Sequence, residues 1–219
     1  TEAMADPANG SRTLLWDKEK GDWSDELLEL FGVPREILPV AAASRAEWGR
    51  LRVDSKKWPL SVVTGDQSAA LFAFGRPEAD RVYMNLGTGA FVQRVAPSAD
   101  IDAGGLLSSV VYQDSALLAT VVEGTVNGAG SALTRVSRER GISQQQLHDH
   151  ATEWLEQTEA PPLFINGIGG LGSPWWNSEV QSRFIADEVS DDLSNNSSLT
   201  NPQVIAAVLE SIVFMLAVN

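Results

Sequence analysis

The sequence has no cysteine and only two histidines. Disulfides, thiolate nucleophiles and cysteine-ligated zinc are therefore excluded. His148 and His150 stand two residues apart on a predicted helix, a spacing that places them on different faces, so we predict surface residues rather than a metal site. The lack of cysteine fits a reducing compartment, and the first residues do not resemble a secretory signal. We therefore expect a cytoplasmic protein.

Basic residues are scarce, because 16 Lys and Arg stand against 29 Asp and Glu and give a net charge of -13. Phosphate-rich partners attract basic patches, so we predict neither a nucleic-acid partner nor an anionic membrane. Long hydrophobic runs are missing as well. The most apolar segment, residues 204–218, is too short for a bilayer span and contains Glu210, which predicts a buried helix.

The 43% hydrophobic content is enough for a core, and short apolar runs separated by glycine predict an α/β domain with a mixed sheet. We predict a loop for residues 6–11, a solvated connection for residues 41–57 and an acidic loop for residues 187–198. The predicted strands are residues 60–63, 81–85, 90–96, 106–112, 116–122 and 181–186, with 106–112 and 116–122 as the two strands of a hairpin. Residues 163–165 form a further apolar run. The predicted helices are residues 25–31, 67–74, 125–140, 143–157 and 201–219, and the last two begin at the N-cap residues Ser143 and Asn201. A short helical turn is predicted for residues 34–38.

One stretch combines an acid with a glycine turn. Asp66 follows an apolar run, and Gly87-Thr88-Gly89 ends another. In phosphoryl transfer, an acid accepts the hydroxyl proton and backbone N–H groups face phosphate oxygens. A helix N-cap at Asp66 and an ordinary hairpin turn at Gly87 to Gly89 explain the same residues, so spacing alone leaves both interpretations open.

Further motifs follow one another along the chain. They are Asn9 to Asp17 (NGSRTLLWD), Gly65-Asp66-Gln67, Gly87-Thr88-Gly89-Ala90-Phe91, Glu123-Gly124 with Ala129-Gly130-Ser131, Gly170-Leu171-Gly172-Ser173-Pro174-Trp175-Trp176, and Leu209-Glu210-Ser211-Ile212. In this order the motifs resemble those of the FGGY carbohydrate kinases, most closely the glycerol kinase branch. The resemblance covers nearly the whole chain.

The resemblance implies an incomplete actin-like ATPase, or ribonuclease H-like, kinase fold. Residues 1–59 would form the C-terminal part of the first, substrate-side domain, and residues 60–219 an incomplete second, nucleotide-side domain. The family's N-terminal phosphate-binding hairpin and C-terminal adenosine-binding segment have no counterpart in the sequence. The resemblance therefore implies that the parent protein is a kinase and that these 219 residues alone are inactive.

The resemblance also assigns roles to individual residues. Asp66 matches the catalytic base and would face Mg²⁺ through water. Gln67 and Phe91 match positions that contact the polyol. Positions near the nucleotide are matched by Gly87, Thr88, Gly89 and Gly130.

The implied reaction is ATP-dependent phosphorylation of a hydroxyl of glycerol or a related polyol, with ATP and Mg²⁺. The implied partners are a small polyol or sugar and ATP, and the resemblance is compatible with a homo-oligomer. Two alternatives stay open: a ketose kinase acting on a pentulose or heptulose, and a non-catalytic actin-like ATP-binding protein.

Overall fold

The computed structural model describes residues 3–96, 103–185 and 199–219. The chain divides into two compact units. The first contains Thr1–Tyr83, Gln93–Ala103 and Leu107–Glu123, and the second contains Met84–Val92, Gly104–Leu106 and Gly124–Asn219. These units alternate along the chain, whereas the family domains expected at residues 1–59 and 60–219 are consecutive. That domain assignment stays a prediction.

Twelve strands, six α-helices and one 3-10 helix (Arg35–Ile37) lie in the described residues, and most of the strands are short. The strands are β1 (Met4–Ala5), β2 (Trp16–Asp17), β3 (Asp22–Trp23), β4 (Val40–Ala41), β5 (Arg50–Val53), β6 (Lys56–Pro59), β7 (Val82–Leu86), β8 (Ala90–Val95), β9 (Leu107–Gln113), β10 (Leu118–Val126), β11 (Leu163–Ile165) and β12 (Arg183–Ile185). The helices are α1 (Pro7–Ser11), α2 (Asp25–Phe31), α3 (Asp66–Ala70), α4 (Gly130–Glu139), α5 (Gln144–Gln157) and α6 (Asn201–Val218). The largest sheet has the strand order β7-β8-β10-β9.

The prediction of a loop at residues 6–11 is wrong, because these residues form α1. The buried carboxylate of Asp6 is the N-cap and accepts hydrogen bonds from the backbone N–H groups of Ala8 and Asn9. Pro7 follows at the first helical position, where its missing N–H costs nothing. Packing of α1 against β9 and β2 gives this five-residue helix the support that a short helix lacks by itself.

The solvated connection expected at residues 41–57 also contains regular structure. β5 and β6 pair antiparallel, with Arg50 opposite Pro59 and Val53 opposite Lys56. Every residue of both strands is exposed, so the hairpin is solvated as expected. Its regular structure comes from the pairing of its own two strands. The alternation of charged and apolar residues from Arg50 to Val53 was the signal for the first of these strands.

Residues 60–63 do not form the predicted strand, since only one isolated bridge joins Val62 to Arg45. The helix predicted at residues 67–74 is shorter and begins one residue earlier, as α3. The hairpin predicted at residues 106–122 is confirmed, because β9 and β10 pair antiparallel. A bulge between Ala119 and Thr120 interrupts the register of this pair.

The turn between β9 and β10 is organised by Asp114. Its Oδ1 accepts from the N–H groups of Ala116 and Leu117, both at 2.8 Å, and its Oδ2 accepts from the Tyr112 hydroxyl at 2.8 Å. The Ala116 N–H makes the largest contribution in lowering the pKa of Asp114 below its ordinary value of 3.8, with the Tyr112 hydroxyl next. The charged carboxylate therefore favours the folded turn.

We expect Asp114→Asn to lower the stability of the fold at neutral pH. A carboxyl whose pKa is lowered on folding stabilises the protein above its unfolded pKa, and this contribution is lost as pH falls through the folded pKa. The stability difference between wild type and variant should therefore shrink below about pH 3.8. Urea unfolding at pH 7 and pH 3 measures it, with Asp80→Asn, at an exposed position, as the control. A difference that stays constant between the two pH values contradicts this role.

The second unit has one main core. It is built from apolar residues of β8, β10, α4, β11, β12 and α6, among them Val126, Phe164, Phe184 and Val208, all at most 6% exposed. The helix predicted at residues 125–140 begins only at Gly130, because Thr125 and Val126 continue β10. Ser143 caps α5 as predicted, with a reciprocal contact to Gln146.

α6 is confirmed as a helix, and the expectation that it is too short to span a membrane is wrong. It has 18 residues and a mean hydropathy of 1.7, so by length and composition it is able to cross a bilayer. Its N-terminal half is buried, however, and α6 packs against α4, α5 and β11. This packing is that of a core helix, although Val213, Phe214 and Val218 remain exposed.

Two other expectations concern α5 and residues 187–198. His148 and His150 are exposed on α5, as predicted. The acidic loop expected at residues 187–198 lies outside the described residues.

Candidate active site

Asp66 is the first residue of α3, in the first unit. The N-cap is Gly65, which has extended backbone angles, so the interpretation of Asp66 as an N-cap is wrong. The Asp66 Oδ1 accepts a hydrogen bond from the N–H of Gln67 at 2.7 Å. Within the described residues its second carboxylate oxygen has no partner, and the side chain is exposed. An acceptor of this kind is able to take a proton from a bound hydroxyl.

A polar cavity of about 100 Å³ lies beside this carboxylate, and we call it the Asp66 cavity. It is lined by Ala8, Asn9, Arg12, Gly65, Asp66, Gln67, Ser68, Gln93, Ser109, Val111 and Glu123. Sites for drug-sized ligands usually occupy about 300–1,000 Å³. The Asp66 cavity is smaller and is rich in hydrogen-bonding side chains, so it suits a small hydroxylated group.

Sequence reasoning missed a buried network in the lining of this cavity. Glu123, on β10, accepts from Arg12 Nη1 at 2.9 Å and from Gln93 Nε2 at 2.6 Å. Arg12 Nη1 also donates to Ser109 Oγ at 3.0 Å. The available signal was a carboxylate at the end of an apolar run, as at Asp66, but Arg12 is 111 residues away in sequence. Only the fold reveals this pair.

In the second unit, Gly87, Thr88 and Gly89 form the loop that joins the neighbouring strands β7 and β8. The first N–H groups of α4 hold this loop in place. Gly130 N–H donates to the Gly87 carbonyl at 2.9 Å, and Ser131 N–H donates to the Thr88 carbonyl at 2.9 Å. These helix donors are therefore engaged by the loop, whereas the Thr88 N–H has no partner in the part of the chain that the structure describes.

Glycine is required at two of these positions because backbones approach closely. A Cβ added at Gly130 would lie 2.6 Å from the Gly87 carbonyl oxygen, and one at Gly89 would lie 2.9 Å from the Val126 carbonyl oxygen. Both distances are below ordinary van der Waals contact. The loop thus fits against α4 and β10 only without these side chains.

A second cavity, of about 530 Å³, adjoins the loop, and we call it the loop cavity. It is lined by Gly87, Thr88, Gly130, Ser131, Thr134, Arg135, Arg138 and Ile168. Among the described residues of this lining, both charged side chains are arginines, although the chain as a whole carries a charge of -13. Its size and its cations suit an anionic ligand as large as a nucleotide.

The predicted site residues therefore fall into two groups. Asp66 and Gln67 line the Asp66 cavity, whereas Gly87, Thr88 and Gly130 line the loop cavity. Phe91 is half-buried on β8, and neither Phe91 nor Gly89 belongs to either lining. The predicted contact of Phe91 with the polyol stays a prediction.

The Asp66 side chain is compatible with a water-mediated Mg²⁺ contact. Mg²⁺ usually keeps several waters and binds through one or two carboxylates together with substrate phosphates. No group of three His, Asp or Glu able to hold a metal occurs among the described residues. The exposed Asp66 carboxylate, with one oxygen without a protein partner, fits this sparse kind of ligation.

Comparison with known proteins gives these features a context. No family model matches the chain. The glycerol kinase of Mycoplasma genitalium is 31% identical over 222 residues, a match that covers 96% of this chain and 42% of that protein. The apulose kinase of Pectobacterium atrosepticum is 28% identical over 219 residues, covering 97% of this chain and 42% of that protein. Over nearly its whole length the chain is similar to FGGY carbohydrate kinases.

Solved structures agree at the level of fold. The Plasmodium falciparum glycerol kinase crystallised with ADP has a TM-score of 0.76 and 22% identity, over 97% of this chain and 42% of that one. A xylulose kinase from Brucella ovis has a TM-score of 0.77 and 20% identity, over 99% and 44%. The expected actin-like ATPase fold of the FGGY carbohydrate kinases is confirmed. The chain spans less than half the length of the relatives it matches.

Proposed function

We propose that the full-length protein transfers the γ-phosphoryl group of ATP to a hydroxyl of glycerol or a related polyol. The observation that carries the proposal is the Asp66 carboxylate, which lines a small polar cavity and has one oxygen without a partner among the described residues. The relatives that are glycerol kinases support the choice of reaction.

In this proposal, Asp66 accepts the proton of the substrate hydroxyl as its oxygen attacks the γ-phosphorus. Gln67, in the same lining, offers an amide that hydrogen-bonds a second hydroxyl and orients the substrate. Phe91 would contribute an apolar contact with the polyol. These roles require a small acceptor, in agreement with a cavity of about 100 Å³.

The nucleotide belongs to the loop cavity in the same proposal. Thr88 presents an N–H without a partner in the described residues. Gly87 and Gly130 keep the loop backbone close to α4, and Gly89 keeps it close to β10. Backbone N–H groups of this kind bind phosphate oxygens. Mg²⁺, when bound, supplies neutralisation of the phosphate charge. Asp66 would face it through water.

A ketose kinase is the second candidate. It is favoured by the apulose kinase among the relatives, which matches nearly the whole chain. Both candidates use the same base and the same phosphate loop, and they differ in the acceptor.

We expect the full-length protein to phosphorylate glycerol with a higher kcat/KM than any ketose. The measurement is ADP release with a panel of glycerol, erythritol, ribitol, xylulose, ribulose and sedoheptulose at saturating ATP, with reactions lacking acceptor as the control. A preference for a pentulose or heptulose would favour the second candidate. Absence of phosphorylation with every acceptor would contradict both.

A further inference from the structure

Glu123 has no role in the proposed reaction, yet its carboxylate is buried in the lining of the Asp66 cavity. Its side chain is 2% exposed. Burying a carboxylate is costly unless it is paired and hydrogen-bonded. Here Oε1 accepts from Arg12 and Oε2 accepts from Gln93, so both oxygens have partners.

Arg12 is only partly engaged by this network. Arginine has five N–H donors, and in the described residues only those on Nη1 have partners, namely Glu123 and Ser109. Its side chain is 42% exposed and lines the Asp66 cavity. A guanidinium with spare donors in a substrate cavity is a good ligand for a carboxylate, because it binds carboxylates through two hydrogen bonds.

The balance of charge in the cavity opposes such a ligand. Among the described residues of the lining, one cation, Arg12, stands against two carboxylates, Asp66 and Glu123, so the formal charge is -1. Without the Glu123 charge the same lining would be neutral overall, and among the described residues the Arg12 guanidinium would have no ion-pair partner. Glu123 thus decides whether Arg12 is available to an anion.

We propose that Glu123 is a specificity-determining residue, which neutralises Arg12 and makes the cavity select neutral polyols over sugar acids. The inference rests on the proposed function, since it assumes that the acceptor substrate binds in the Asp66 cavity. Specificity is a difference of affinities, and unfavourable charge against the wrong ligand is one way to create it. Arg12 keeps hydrogen-bond donors for hydroxyl oxygens, but its charge is compensated.

The test compares glycerol with glycerate, which differs by a carboxylate in place of a hydroxymethyl group, in the full-length protein. We expect Glu123→Gln to shift the ratio of kcat/KM for glycerate to that for glycerol upward by roughly tenfold or more. The glutamine oxygen still accepts from Arg12, and Gln93 is able to turn its amide so that the hydrogen bond to position 123 is kept. Thermal unfolding verifies that the variant is folded.

Glu78→Gln is the matched control, because Glu78 forms an exposed ion pair with Arg81 at 3.2 Å, outside the lining. It should leave the ratio unchanged. Arg12→Gln is the second variant, for use if Glu123→Gln fails to fold. It should shift the ratio in the opposite direction, because the lining then has carboxylates and no cation.

The outcomes separate the two proposals. An unchanged ratio of kcat/KM for glycerate to that for glycerol in a folded Glu123→Gln variant overturns the role of Glu123. If that variant does not fold, an unchanged ratio in a folded Arg12→Gln variant has the same meaning. In either case, wild-type activity on glycerol upholds the proposed function. A wild type that phosphorylates neither acceptor overturns the proposed function and, with it, this inference. A merely structural Glu123 would lower stability or both kcat/KM values together, without moving their ratio.

Discussion

Asp66→Asn should lower the kcat of the full-length protein for glycerol by about 10²–10⁴-fold, the range that general-base catalysis contributes. Asparagine keeps the size of the side chain and an oxygen that is able to accept from the Gln67 N–H. It cannot take up the proton of the attacking hydroxyl. The KM values for ATP and glycerol should therefore change much less than kcat.

Steady-state rates with glycerol and ATP measure this effect, and Asp80→Asn is the matched control at an exposed position outside both linings. Unchanged turnover in Asp66→Asn would remove the base from the mechanism. It would also favour the alternative of an ATP-binding protein in which position 66 has no catalytic role.

Gly130→Ala should lower kcat/KM for ATP by roughly a hundredfold, since misplacement of a binding group by about 1 Å can cost that much. The new Cβ would lie 2.6 Å from the Gly87 carbonyl oxygen. This oxygen belongs to the backbone and cannot move aside by a change of side-chain rotamer. The loop must move away from α4, and the hydrogen bond from Gly130 N–H to Gly87 is then lost or lengthened. The Thr88 N–H moves with the loop.

Titration of a fluorescent ATP analogue, together with the KM for ATP, measures this effect. Gly141→Ala is the control, because it lies just beyond the other end of α4 and its added Cβ meets nothing within 4 Å. Its positive φ of 67° makes alanine strained there, so the control reproduces a loss of stability without moving the loop. Equal loss of ATP affinity in both variants would show that Gly130 acts through stability alone.

The parts of the fold that sequence predicted best are those determined by local chemistry. The cap at Ser143 and the paired apolar runs of β9 and β10 depend on neighbouring residues, and both were found close to their expected positions. α6 was also found, although its cap is Thr200 rather than Asn201. Local signals therefore located these elements to within a few residues.

The errors arose where long-range packing decides the structure. Residues 7–11 contain proline, asparagine and glycine, which favour a loop, yet the buried Asp6 cap and the contact with β9 make them helical. Glu123 is likewise placed by Arg12, far away in sequence. No local pattern predicts that an acid in an apolar strand is paired, so the network in the Asp66 cavity could not be read from the sequence.

The candidate site shows the same division. Motif order singled out Asp66, Gln67 and the Gly87 to Gly89 loop. The structure places Asp66 and Gln67 in the lining of one cavity and Gly87 and Thr88 in the lining of another. The sequence did not indicate that the N–H groups of α4 are used to hold the loop. That detail depends on the close approach of Gly130 and Gly87, which brings together residues of distant segments.

The central claim is that the protein transfers a phosphoryl group from ATP to a small polyol with Asp66 as the base. Its most direct test is ³¹P NMR of the full-length wild type and Asp66→Asn incubated with ATP, Mg²⁺ and glycerol. We predict that the wild type forms glycerol phosphate and ADP in equal amounts and that Asp66→Asn forms neither on the same timescale. Equal product formation by both proteins, or ADP without glycerol phosphate from the wild type, would contradict the claim.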